Sequence, residues 1–192
     1  GPLRGGKGST YEGGVREPTI AWWPGRVAAG SSCDAVAANI DFLPTFVKLA
    51  GGSVPTDRAI DGKDISSLLL GQSSTSPHDA FYYFNGIKLQ AVRSGPWKLA
   101  IVPRPKEVQD EATPFTPRLY NLDTEIGEQT NVAGDHPEVV ARLQQLVARM
   151  DADLGATGNG PGVRPPGRVE KPVGLWLPGQ EPKATAVDKV SQ

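Results

Sequence analysis

One cysteine, Cys33, in a chain of 192 residues excludes an internal disulfide framework. It leaves open whether the compartment is oxidising or reducing. Two histidines, His78 and His136, are too few and too far apart in sequence for a histidine-based metal site. Charge of either sign is not in excess: the net charge of −1 gives no footing for nucleic acid or an anionic membrane as partner. No run approaches the roughly 18 apolar residues that a membrane span needs, and no signal-peptide pattern opens the sequence. Aromatic residues make up only 7% and hydrophobic residues 38%, which still supports a globular core. Gly 23 and Pro 18 are plentiful instead, and they point to a loop-rich protein of one domain or one and a half.

Between the loops, the hydrophobic pattern changes once. The run Thr19 to Trp23, closed by Pro24-Gly25, reads as a short buried strand with no obvious neighbour in the chain. From Asn39 or Asp41, the residues Ile40, Leu43, Val47 and Ala50, widened by Phe42, Phe46 and Leu49, predict an amphipathic helix ending at Gly51. Ile60 to Leu70 reads as a turn and a short helix. Gln72 to Pro77 has the composition of a linker. After it come four strand patterns, Ala80 to Phe84, Ile87 to Arg93, Trp97 to Val102 and Arg118 to Leu122, separated by turn signals such as Asn85-Gly86. They predict an antiparallel meander, interrupted by a polar excursion from Pro103 to Pro117. Asp135 as cap, Pro137 in the first turn and the stripe Val139, Val140, Leu143, Leu146, Val147, Met150 and Leu154 predict a helix that stops at Gly155. Sheet and helix together make a small α+β unit. The expected division is residues 1–72, residues 73–154, and an extended Pro/Gly-rich tail over 155–192, with one apolar island at Val173 to Leu177.

The chemistry concentrates in the first segment, GPLRGGKGSTYEGGVREPTIAWWPGRV. Lys7 stands between Gly6 and Gly8, and a Gly13-Gly14 pair follows a polar turn. Glycines let the main chain approach a ligand closely, successive N–H groups can form an anion-binding concavity, and an ammonium is a compact charge suited to a sulfate or phosphate oxyanion. The plainer reading is a surface loop with a solvated lysine. A P-loop match over Gly1 to Gly8 fails because Gly8 stands where Ser or Thr must hold magnesium. Asp57, Asp61 and Asp64 surround a glycine turn without the alternation of an EF-hand loop. Glu12 and Arg16, four residues apart, are expected to form a buried pair that fixes the Lys7 loop rather than a catalytic set.

The first segment resembles the GKGTxxEGGxRxPxxxxWPG stretch of the sulfatase family, the arylsulfatase A-like hydrolases. The resemblance continues in order through IDFLPTFVKLAGG, IDGKDISSLLLG, AVRSGPWKLAIV and LYNLDTEIGEQTNVAGDHPEVVARL, over roughly residues 1 to 150. It implies the C-terminal end of an alkaline-phosphatase-like α/β sulfatase core followed by a small α+β domain. It also implies hydrolysis of sulfate monoesters, with Lys7 as the substrate-binding and catalytic residue that contacts the sulfate. Gly1-Pro2 would complete an Asp-Asn-Gly-Pro motif, so the family's calcium ligands, and the cysteine matured to formylglycine, are expected before Gly1. Cys33 lies in Cys33-Asp34-Ala35-Val36-Ala37, not in the family's C-x-P-S-R or C-x-A-S-R, and is expected to be a small packing residue. The implied partners are a sulfated small molecule or carbohydrate and the N-terminal sulfatase portion. The implied compartment is periplasmic, secreted or lysosomal. Two alternatives stay open: a phosphodiesterase or phosphonate hydrolase of the same superfamily, and a non-catalytic remnant that binds an anion or a partner chain.

Overall fold

In the computed structural model, residues 1–103, 115–154 and 160 are described. The Pro103 to Pro117 excursion lies largely outside them, as do Gly155 and the tail with its Val173 to Leu177 island. The elements are α1 (Glu12–Val15), a 3-10 turn (Asn39–Asp41), α2 (Phe42–Leu49), α3 (Ser66–Leu69), β1 (Phe81–Asn85), β2 (Lys88–Ser94), β3 (Trp97–Ala100), β4 (Arg118–Asn121) and α4 (Pro137–Leu154).

The four strands form one antiparallel sheet in the order β1-β2-β3-β4, each expected strand within a residue or two of its place. Alternation along the strands gives the sheet two different faces. Tyr82, Val92, Leu99 and Leu119 line up across it and meet α4, where Val92, Leu99, Leu119 and Leu143 are sealed from solvent. The other face carries Tyr83, Arg93, Lys98 and Tyr120, and it meets the N-terminal segment. The β1–β2 register shifts between Tyr83 and Phe84, so that Gln90 has no partner in β1. Such a bulge re-aims a side chain. Here it lets the buried Gln90 reach Thr10.

At the start of α4, the structure moves the expected cap by one residue. The helix begins at Pro137, and the His136 carbonyl accepts the N–H groups of Val139 and Val140. The His136 ring packs on Trp97 with centroids 4.6 Å apart.

Two apolar stretches lie exposed in this structure. Thr19 to Trp23, the run with no obvious neighbour in the chain, has no ladder partner among the described residues, and Ile20 and Trp22 are 92% and 84% exposed. An apolar run becomes a strand only where a neighbouring strand takes its backbone hydrogen bonds. In α2 the apolar stripe faces outward as well, with Ile40, Leu43 and Phe46 more than half exposed. The helix is held instead by its polar side. The Asp41 carboxylate accepts the Ala38 and Lys63 N–H groups at 2.7 and 2.8 Å and meets His78 Nε2 at 2.8 Å. Thr45 Oγ1 donates to the Asp41 carbonyl and accepts from the Ile65 amide. Gly62 is what lets these backbones meet, since a Cβ there would lie 2.0 Å from the Ile40 carbonyl oxygen. His78, just past the linker-like Gln72 to Pro77, is thus a largely buried anchor, and Ser76 Oγ beside it donates to the Val36 carbonyl.

Leu143→Ala should destabilise the sheet–helix unit by about 2–5 kcal/mol, because the surrounding side chains collapse only partly into the space left. Met150, half-buried one turn beyond Leu146 and Val147, should cost less when cut to alanine. Urea unfolding of the two variants checks the order.

Candidate functional site

The Lys7 loop is built by close approach of two backbone stretches. The Gly6 carbonyl accepts both the amide and the hydroxyl of Ser9, closing the turn that carries Lys7. Gly13 N–H donates to the Arg4 carbonyl at 2.9 Å, so α1 lies directly against residues 4–6. A Cβ on Gly14 would stand 2.2 Å from the Ser9 carbonyl oxygen and 2.7 Å from that of Gly6. The glycine pair is therefore a steric requirement of this loop. Lys7 itself is exposed at its tip.

Behind the loop lies a cluster of buried charges. Glu12, 1% exposed, is at its centre. Its Oε1 accepts Lys98 Nζ at 2.7 Å and the Tyr83 hydroxyl at 2.8 Å; its Oε2 accepts Arg16 Nε at 2.6 Å and lies 3.4 Å from Arg93 Nη1. Lys98, fully buried on β3, uses all three of its protons: on Glu12, on the Thr10 carbonyl at 2.8 Å and on Glu128 Oε1 at 2.9 Å. Its ammonium also sits 4.0 Å from the centre of the Tyr83 ring. Glu128 Oε2 accepts the Glu12 amide at 2.7 Å, and the Glu128 carbonyl accepts Arg4 Nη1 at 2.6 Å.

The electrostatics follow from this geometry. Burial pushes the Glu12 carboxyl up, but the charge of Lys98 and the hydrogen bonds from Lys98, Arg16 and Tyr83 outweigh it and bring the pKa down to about 2. Burial pulls the Lys98 ammonium below the usual lysine range, against the pull of Glu12 and Glu128. The Tyr83 hydroxyl is pushed up by burial and by the neighbouring Glu12 charge, so it remains a donor.

The expected Glu12–Arg16 pair is present, with Arg16 partly exposed. Lys98, Glu128, Tyr83 and Gln90 were missed by sequence reasoning. A lysine within the apolar strand W-K-L-A was the available signal, since burying an ammonium demands partners. The acidic turn does not come together as a site: Asp57 pairs with Arg58 at the surface and Asp64 with Lys48. Cys33 is exposed rather than packed. It lies in an irregular loop on a cavity of about 570 Å³ shared with Ser76, His78 and Arg93. Among the described residues, no group of three or more His, Cys, Asp and Glu side chains could hold a metal ion. Nor is any helix among them long and apolar enough to cross a membrane.

Because the folded-state pKa of Glu12 lies below its ordinary value, the stability it contributes is fully present above pH about 4.5 and is lost as the pH falls toward about 2. That contribution is roughly 3 kcal/mol. Glu12→Gln should therefore flatten the fall in stability over this window, as read by denaturant unfolding at stepped pH. Lys98→Met, which leaves two buried carboxylates without their shared cation, should cost about 3–5 kcal/mol at neutral pH.

Comparison with known proteins covers most of these elements. Residues 6–153 match the family model described as N-sulphoglucosamine sulphohydrolase, C-terminal. Human arylsulfatase A is 38% identical over 177 residues, covering 79% of this chain and 34% of that protein. Human steryl-sulfatase is 43% identical over 96 residues, covering 50% and 16%. The chain thus spans about a third of arylsulfatase A and less of steryl-sulfatase. Among solved structures, the PsFucS1 sulfatase from Pseudoalteromonas sp. superposes with a TM-score of 0.69 at 26% identity, covering 82% of this chain and 34% of that one. A Bacteroides thetaiotaomicron structure, described under the metabolism of multiple glycosaminoglycans, gives 0.64 at 32% identity, covering 77% and 31%. With the Lys7 turn, the meander and all but the last residue of α4 inside the matched region, this chain belongs to the sulfatases, through the C-terminal family named for N-sulphoglucosamine sulphohydrolase.

Proposed function

We propose that the protein to which this chain contributes hydrolyses sulfate monoesters, and that Lys7 contacts the sulfate group of the substrate. The observation that carries the reading is the presentation of Lys7: an exposed ammonium on a tight glycine turn whose two flanks are tied to buried charges. Membership of the sulfatase family supports it, as does the identity with arylsulfatase A and steryl-sulfatase. Cleaving a sulfate ester moves negative charge among the sulfate and leaving-group oxygens. A cation already fixed beside them stabilises that charge without reorganising during the reaction. Lys7 is suited to this role because the closed glycine turn and its two pinned flanks fix the backbone from which its exposed ammonium projects. The substrate class we propose is a sulfated small molecule or carbohydrate.

The calcium ion and the formylglycine nucleophile that the resemblance implies do not fit the residues described here. A hard divalent cation needs several oxygen ligands converging on one point, and the described carboxylates are engaged separately, in the Glu12 cluster, at Asp41 and in surface pairs. What this chain supplies is the positioned lysine and the scaffold behind it.

Lys7→Ala in the complete enzyme should lower kcat/KM on an aryl sulfate by about 10²–10³ with little change in melting temperature, since it removes a transition-state contact and leaves no cavity. Normal turnover by a folded variant would take Lys7 out of the site. The 192-residue chain alone should show no turnover of an aryl sulfate and no micromolar calcium binding by titration calorimetry. Tight binding would reveal a ligand set that the described carboxylates do not offer.

A further inference from the structure

We propose that Lys98 and Gln90 are positioning residues for Lys7, acting through the backbone on the C-terminal side of its loop; this rests on the sulfate-contacting role of Lys7 above. Lys7 lies three residues from Arg4 and three from Thr10, and both are pinned. On one side, Arg4 Nη1 donates to the Glu128 carbonyl, and its guanidinium covers the Tyr11 ring at 4.4 Å. On the other, the Thr10 carbonyl accepts Lys98 Nζ and the Thr10 hydroxyl donates to Gln90 Oε1 at 2.9 Å. Only Gly5 to Ser9 spans the interval, and the Ser9–Gly6 hydrogen bonds close that span into a turn.

Two features set this apart from ordinary packing. An apolar core of the same shape would stabilise the fold at least as well as buried ions. What the ions add is direction, because each hydrogen bond fixes a particular backbone atom within a few tenths of an ångström. The second feature is Glu128, which is fully buried and holds a φ of +53°, a conformation that side-chain-bearing residues rarely adopt. Backbone strain of this kind persists where the surroundings over-determine it. At Glu128 the surroundings are Arg4, the Glu12 amide and Lys98, so the strained residue joins both pins of the Lys7 loop. The bulge that frees Gln90 from β1 serves the same end, turning an amide away from the sheet ladder toward Thr10. A displacement of about 1 Å at a reacting group costs on the order of 10²-fold in rate. Loosening either pin therefore reaches the chemistry without touching substrate.

The test is a double-mutant cycle in the complete enzyme, measuring kcat and KM on an aryl sulfate together with thermal melting. Gln90→Leu keeps every charge of the cluster and is the variant most certain to fold; Lys98→Met removes the central cation. Each should lower kcat by about tenfold or more in the wild-type background, in excess of any change in KM. In a Lys7→Ala background neither should lower it further, because the group they position is gone. A folded Gln90→Leu or Lys98→Met enzyme with wild-type kcat overturns the inference. So does a loss that persists in full without Lys7, which would mean that these residues act only on the fold. If Lys7→Ala itself turns over normally, the role of Lys7 fails first, and the positioning role with it.

Discussion

A carboxylate and an ammonium removed together from water constrain the N-terminal segment and the face of the sheet that it meets. Neither Glu12 nor Lys98 could be buried alone at neutral pH without several kcal/mol of penalty. Their mutual contact, the three acceptors around the lysine and the four donor groups around Glu12 turn that penalty into a requirement on geometry. The sheet must present Lys98 and Tyr83 on the face away from α4, the bulge must free Gln90, and residue 128 must hold its strained turn. Each of these would be an oddity in isolation. Together they satisfy one buried charge group and fix Thr10 beside it.

The sheet accordingly has two kinds of interior. Toward α4 it is apolar and close-packed around Val92, Leu99, Leu119 and Leu143, the kind of interface that sets stability. Toward the N-terminal segment it is charged and hydrogen-bonded, the kind that sets orientation. Strand β3 serves both through the two-residue period of its side chains, with Leu99 on one side and Lys98 on the other. A four-residue strand thereby couples the buried apolar core to the loop that carries Lys7.

The strands, their order and the final helix were legible because period and turn chemistry are local properties: the Asn85-Gly86 signal falls at the β1–β2 turn, which the structure places at Gly86-Ile87, and the α4 stripe reaches the core at Leu143. The Glu12–Arg16 pair was legible for the same reason, being one helical turn apart. The rest of the cluster was not. Residue 128 meets residue 12 across 116 positions, and no local pattern encodes that meeting. The first apolar run and the α2 stripe were legible as apolar, but hydrophobicity says only that a face needs a partner, not where that partner lies. In α2 the anchoring was polar, through Asp41, Thr45 and His78, which a hydrophobic pattern does not record.

The long sequence separations have a consequence for the order in which the site comes into being. A growing chain exposes Glu12 well before Tyr83, Lys98 and Glu128 have been synthesised, so the carboxylate begins life hydrated among residues that have no sheet to lie on. The strands and their turns close over short spans, whereas joining residue 12 to residue 128 must wait for the last of them and carries the larger loop-closure cost. The contacts that pin the Lys7 turn therefore cannot all form until Glu128 has joined the chain. A nascent or partly unfolded chain would present this lysine on a slack tether, and full charge presentation becomes a sign that synthesis has passed Glu128.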